Sequence, residues 1–258
     1  MEIVVPVKQV PDLVEELEID ESSRTLDQSF LRFKLNEFDE HALEEALLLK
    51  EKHGGKVTVV ALDTGEVDET LFMCLAKGAD RAIKITGGFE TAVESHQAAR
   101  ILSKVLASIP HDLILTGVQA ADDRDGQLGP LLGSYLGLPH VSVVSGVEPI
   151  ASGKAVTVIQ EYSGGVMAEF EVELPALLGV QAARQTPRYA PVSKVRQMMK
   201  TAKIEEVPAP EIEAKSGSTV RRLFKPEAAG RAEILEGDPE EVTDKLITIL
   251  TQRGFVKG

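Results

Sequence analysis

The segment Gly117–Val118–Gln119–Ala120–Ala121–Asp122–Asp123–Arg124–Asp125–Gly126–Gln127–Leu128–Gly129 is a polar run with a clear chemical use. It opens a predicted helix at Gly126–Gln127, with Pro130 close to the first turn. Free backbone N–H groups and the positive end of a helix dipole attract an anion there. Gly126 lets a phosphate approach the backbone closely, and Lys8 or Arg124 can add a positive charge. Asp122, Asp123 and Asp125 would repel a phosphate if all three faced it, so they are expected to cap the helix, face solvent or accept hydrogen bonds. A metal role for them is weak, because one carboxylate cluster is not a site. Neither the G-x-G-x-x-G nor the G-x-x-x-x-G-K-[ST] pattern occurs.

Other reactive residue types form no constellation. The five histidines are scattered without metal-ligand spacing, and His41, beside Glu44 and Glu45, is expected to be exposed. Ser163 precedes Gly164–Gly165 in a predicted hairpin turn rather than a nucleophile elbow. Cys74, the single cysteine, excludes an internal disulfide framework and reads as a buried structural thiol. No nucleophile–base pair is found, which favours a carrier or binding protein over an enzyme. A net charge of −13 argues against nucleic-acid partners, and the absence of Trp argues against base-stacking platforms. No apolar run is long enough to insert in a membrane, and without a secretory signal a cytoplasmic location is expected.

The elements that must position the loop follow from apolar periodicity. Buried strands are predicted at residues 2–7, 56–62, 81–85, 112–116 and 139–144. Helices are predicted at 37–53, 66–77, 91–107 and 127–136, the first capped by Asn36 and stopped by Gly54–Gly55. Strands alternating with helices imply an α/β fold with a doubly wound, mostly parallel sheet. Residues 18–30 are a polar excursion. Residues 154–162 and 166–173 read as an antiparallel hairpin, and 174–180 as one more strand. Residues 203–232, rich in Pro, Glu, Ala, Gly and Ser, suggest an extended arm. A last helix is predicted at 239–251, with Asp238 as its N-cap. The expected division is 1–185 nucleotide-binding domain, 186–203 docking segment, and 204–258 C-terminal arm and helix, either docked on another subunit or a loose tail. Ligands of such sheets bind beyond the carboxyl ends of the strands, where strand order reverses. Pro6–Val7–Lys8 and Ala61–Leu62–Asp63–Thr64–Gly65 leave such ends, as does the polar loop.

Together these segments resemble the beta subunit of electron transfer flavoproteins. The similarity is carried by Ile3–Val4–Val5–Pro6–Val7–Lys8–Gln9–Val10–Pro11–Asp12, by Asn36–Glu37–Phe38–Asp39, and by Leu75–Ala76–Lys77–Gly78–Ala79–Asp80–Arg81–Ala82. It continues through the loop 112–130, Leu174–Pro175–Ala176 and Pro187–Arg188–Tyr189. The resemblance implies an adenine nucleotide alpha hydrolase-like layer fold and a heterodimer with an alpha subunit that carries the FAD. It implies AMP bound at Pro6, Lys8, Asn36, Ala61, Leu62, Asp63, Gly117, Gln119, Asp122, Asp123, Arg124, Asp125, Gly126, Gln127 and Leu128. In electron-bifurcating relatives a second FAD takes that place, with Asp-Gly-Asp-Thr-Ala-Gln-Val in the loop. Here Asp123 and Asp125 replace the Gly and Thr, which favours AMP.

The family also implies docking to a flavin dehydrogenase, such as an acyl-CoA dehydrogenase of fatty acid oxidation, and a membrane quinone oxidoreductase as acceptor. Many relatives dock through a Lys-rich stretch after the Tyr189 position. Here Lys194, Val195, Arg196, Met198, Met199 and Lys200 stand in a diverged version of it. An amphipathic helix packed on its own domain would show the same spacing. A homodimeric ATP-binding stress or signalling module of the same fold is the alternative outside the family.

Overall fold

The computed structural model describes residues 1–14, 16–89, 93–123, 125–212, 220–226, 232 and 234–256. Two compact units are formed, residues 1–221 and 222–258.

Strands β1 (Glu2–Pro6), β4 (Lys56–Leu62), β5 (Arg81–Thr86), β6 (Leu113–Gly117), β7 (His140–Pro149), β8 (Ala155–Glu161), β9 (Met167–Glu173), β10 (Ala176–Val180) and β11 (Glu205–Pro208) make one sheet. Its order is β11-β5-β4-β1-β6-β10-β7-β8-β9. All neighbours from β11 to β7 are parallel, while β8 and β9 continue it as an antiparallel hairpin. A separate antiparallel pair joins β2 (Gln9–Pro11) to β3 (Phe33–Leu35).

Each central strand is apolar on both faces because helices cover both. Ile3 and Val5 of β1, with Leu113 and Leu115 of β6, pack under α1 (Glu37–His53) and α2 (Val67–Lys77). The intervening Val4 and Ile114 face α3 (Ser95–Leu106) and α4 (Leu128–Leu136) on the other side. The doubly wound expectation is therefore met. The sheet grows from β1 to β4 and β5 on one side and to β6 on the other, so strand order reverses between β1 and β6.

Several local expectations are corrected. Asn36 makes no side-chain cap on α1. Its Nδ2 instead donates to the Gln119 carbonyl at 2.8 Å. His41 is only half exposed, and its Nδ1 accepts the Ala183 N–H at 3.2 Å. The polar excursion 18–30 is pinched by one antiparallel bridge, Ile19 to Leu26, and ends in a short 3-10 turn at Gln28–Phe30. Glu66 stands in the left-handed region before α2 instead of starting it. The helix expected from residue 91 starts at Ser95, capped by Glu94; residues 90–92 lie outside the described residues. The expected arm supplies β11, which closes the sheet edge beside β5. In the second unit, α6 (Pro239–Gln252) is capped as expected, Asp238 accepting the Glu240 and Glu241 N–H groups.

The chain between β10 and α5 (Val192–Thr201) is an extended strap read by one face of α1. Glu45 is fully buried and accepts the Val147 N–H at 3.1 Å, the Arg184 N–H at 3.1 Å and Arg184 Nε at 2.9 Å. Glu44 accepts the Arg188 N–H at 2.9 Å and its guanidinium at 2.8 Å. Removing an acceptor here leaves buried N–H groups without partners. Glu45→Ala should therefore lower unfolding free energy by about 2–4 kcal/mol, seen as a lower urea midpoint. A loss below about 0.5 kcal/mol would mean that this contact does not hold the strap.

Candidate functional site

The carboxyl ends of β1 and β6 part around the first turn of α1, and Asp39 fills the gap. Its Oδ2 accepts the Lys8 N–H at 2.9 Å, and its Oδ1 accepts the Gly117 N–H at 3.1 Å. Gly117 has no side chain because none fits: a Cβ there would stand 2.4 Å from Asp39 Oδ1 and 2.8 Å from the Phe38 backbone. Asn36 adds a second tie, its backbone N–H donating to the Lys8 carbonyl at 2.9 Å while its amide holds Gln119. Burial pushes the Asp39 carboxyl up to about 7, against the pull of the Lys8 and Gly117 N–H groups and the Asn36 side chain.

Two adjoining lobes open from this floor. One is mainly apolar, lined by Pro6, Val7, Val60, Leu62, Val93, Ala98, Leu102 and Leu128, with Gln9, Thr64 and Ser95 adding polar groups. The other is walled by Asn36, residues 117–120, Asp123 and residues 125–128. Lys8, Asp39, Asp123 and Leu128 are common to both. The helices α1, α3 and α4 all begin here, so three positive helix ends converge on the crevice.

Carboxylates of the chain itself already answer much of that potential. Lys8 Nζ lies 2.8 Å from Asp122 Oδ1 and 3.0 Å from Asp123 Oδ2. The positive charge expected to wait for a phosphate is thus held between two acids. Desolvation alone would lower the Lys8 pKa, but Asp122 and Asp123 outweigh it and raise it. Burial raises the pKa of Asp123 against the pull of Lys8, with Asp122 and Asp125 adding repulsion. Asp125 accepts the Gln127 N–H at 3.1 Å and Ser95 Oγ at 3.0 Å, linking the starts of α4 and α3. The expectation that these acids accept hydrogen bonds is met for all three. Gly126 has φ +64°, a conformation that favours glycine, and a Cβ there would lie 3.1 Å from the Val118 carbonyl.

Of the sequence-predicted site residues, Pro6, Lys8, Asn36, Leu62, Gly117, Gln119, Asp123, Asp125, Gly126, Gln127 and Leu128 meet at this crevice. Asp122 reaches it through Lys8. Ala61 does not: it is buried in the core under α1 and α2. Asp63 is not among the lining residues; its backbone N–H bonds to the Ile85 carbonyl. Arg124 lies outside the described residues. Sequence reasoning missed Asp39, Gln9, Ser95 and Ala98. Ser95 and Ala98 had a signal, since α3 follows the carboxyl end of β5 and must start beside the crevice. Gln9 had none: it is buried, and its amide donates to the Gly65 carbonyl and so holds the loop after β4.

Elsewhere, Cys74 is buried and its thiol is pushed up to about 12 by that burial, as a structural thiol should be. Of the proposed docking residues, Lys194, Arg196, Met199 and Lys200 are exposed on α5. Val195 is half-buried, and Met198 packs against the core. Of the three expected anchors, Met198 thus packs inward. Among the described residues, no three His, Cys, Asp or Glu side chains are arranged to hold a metal, and no helix is long and apolar enough to cross a membrane.

Comparison with known proteins adds an independent result. Residues 25–212 match the family model described as the electron transfer flavoprotein domain. The chain is 36% identical over 262 residues to the electron transfer flavoprotein subunit beta of Methylophilus methylotrophus, covering 98% of both chains. It is 31% identical over 267 residues to the protein of that name from Clostridium acetobutylicum, covering 99% of this chain and 100% of the relative. It is also 27% identical over 266 residues to Protein FixA of Azotobacter vinelandii, covering 97% and 94% respectively.

The raised pKa of Asp39 carries a sign. The folded chain keeps this proton in a pH range where the unfolded chain has released it, so the stability it contributes is present at about pH 4 and lost as pH rises through about 7. Asp39→Asn cannot titrate. The stability difference between wild type and variant, from urea unfolding at a series of pH values, should fall across that window and level off above it. A difference that is flat with pH would contradict the assignment.

Proposed function

Because this chain belongs to the electron transfer flavoprotein family as a beta subunit, we propose that its crevice holds AMP as a structural nucleotide within an FAD-carrying heterodimer. The observation that carries the reading is the crevice itself, at the reversal of strand order, with an apolar lobe beside a glycine-bearing loop. The apolar lobe offers Leu62, Val93, Ala98 and Leu102 to a flat base. The loop offers backbone N–H groups and the start of α4 to a phosphate, with Gly126 in the left-handed conformation that turns the loop there. Lys8 is the nearby cation, once released from its acids. These residues fit a nucleotide of low charge.

The chain's own part is binding and positioning. Asp39 and Asn36 fix the floor of the crevice, and Asp125 joins α3 to α4 above it. The redox chemistry is supplied by the flavin of the heterodimer. On this reading the complex takes electrons from a flavin dehydrogenase and passes them to a quinone-linked acceptor. The exposed basic residues of α5, in a protein of net charge −13, support a docking role for that helix.

Denaturing the purified heterodimer and quantifying what it releases tests the reading. About one FAD and one AMP per heterodimer are expected, and Gly126→Val should lower the AMP without lowering the FAD. Two FAD and no AMP would replace the reading with a crevice that holds a second flavin. No flavin would overturn it. For docking, reversing the charges of Lys194, Arg196 and Lys200 together should slow reduction by the partner dehydrogenase about tenfold or more at low salt, with nucleotide content unchanged. Rates independent of both charge and salt would remove α5 from the docking surface.

A further inference from the structure

The crevice holds more acid than a phosphate site requires. Asp39, Asp123 and Asp125 line it, and Asp122 stands behind Lys8. Two cations, Lys8 and Arg124, belong to the same segments in the sequence, so acids exceed bases even when Arg124 is counted. The acids are also built in. Asp39 is bonded to two strand ends, Asp125 to two helix starts, and Asp122 and Asp123 to one ammonium. Asp39 and Asp125 cannot swing away without breaking bonds that shape the crevice, while Asp122 and Asp123 are held beside it by their shared grip on Lys8.

We propose that Asp122 and Asp123, through their grip on Lys8, are specificity-determining residues that make the crevice discriminate nucleotides by net phosphate charge. This rests on the nucleotide reading of the site. An incoming phosphate must share Lys8 with the two acids or displace them, and each further negative charge on the ligand is repelled by carboxylates that stay in place. AMP carries about two negative charges at neutral pH, and the diester pyrophosphate of FAD about the same number. ADP and ATP carry about one and two more. The filter therefore passes AMP and a dinucleotide and rejects free ADP and ATP.

The test uses the heterodimer with its alpha subunit, stripped of nucleotide and titrated calorimetrically with AMP, ADP and ATP in EDTA at fixed ionic strength. Wild type should bind ADP about tenfold and ATP about a hundredfold more weakly than AMP. Asp122→Asn with Asp123→Asn should tighten ATP more than AMP and shrink the AMP-to-ATP ratio about fivefold or more. The wild-type series needs no variant, so a variant that misfolds leaves the proposal open to refutation. Wild type binding ATP within about threefold of AMP would overturn the filter. So would a folded double variant that shifts all three nucleotides by one common factor. Failure of all three nucleotides to bind folded wild type would instead overturn the nucleotide reading beneath it.

Discussion

Two backbone N–H groups, one on Lys8 and one on Gly117, end on the two oxygens of the Asp39 carboxylate. They belong to the chain leaving β1 and β6, the pair between which the sheet reverses its order. Wherever such strands part, their last polar groups point into a gap and need partners. A carboxylate from the first turn of α1 supplies both at once, and the missing side chain of Gly117 lets the helix come close enough to do it. The crevice is what remains above this closure. Its floor is set by Asp39, its loop is held by Asn36, and its far wall is tied by Asp125.

The same helix organises the opposite side of the unit. The whole of α1 is 17 residues, about 25 Å, and beyond Asp39 it turns His41, Glu44 and Glu45 toward the strap after β10. Each accepts one strap N–H. Lys77 of α2 adds an ion pair with Glu40 at 2.6 Å and a bond to the Arg188 carbonyl. The helix that follows the strap, α5, is thereby seated on α2 through Met198 and Ala202. One helix thus fixes both the crevice and the base of the proposed docking helix.

The layer fold was legible because its signal is coarse. Runs such as Val57–Val60 and Leu113–Leu115 are apolar on both faces only if helices cover both. The polar loop was legible for the same reason, since it follows a strand and precedes a helix. What escaped the sequence were contacts between distant segments. Asp39 reads as an ordinary first-turn acid, and nothing nearby announces that Lys8 and Gly117 will converge on it. Asn36 looks like a cap, yet its amide finds Gln119, 83 positions away. Ala61 was placed in the site by the resemblance, but a buried strand must alternate its faces, and Leu62 took the crevice side. The period of α5 could not separate an anchor patch from a packed stripe, and Met198 turned inward.

The central claim is that the nucleotide sits over Asp39, between the end of β4 and the loop after β6. Photolabelling of the heterodimer with 8-azido-AMP, followed by peptide mapping, addresses this most directly. The account predicts label on peptides carrying Leu62–Gly65, Val93–Leu102 or Gly117–Leu128, abolished by excess AMP. Label confined to residues 222–258, to α5 or to the alpha subunit would place the nucleotide elsewhere and contradict it.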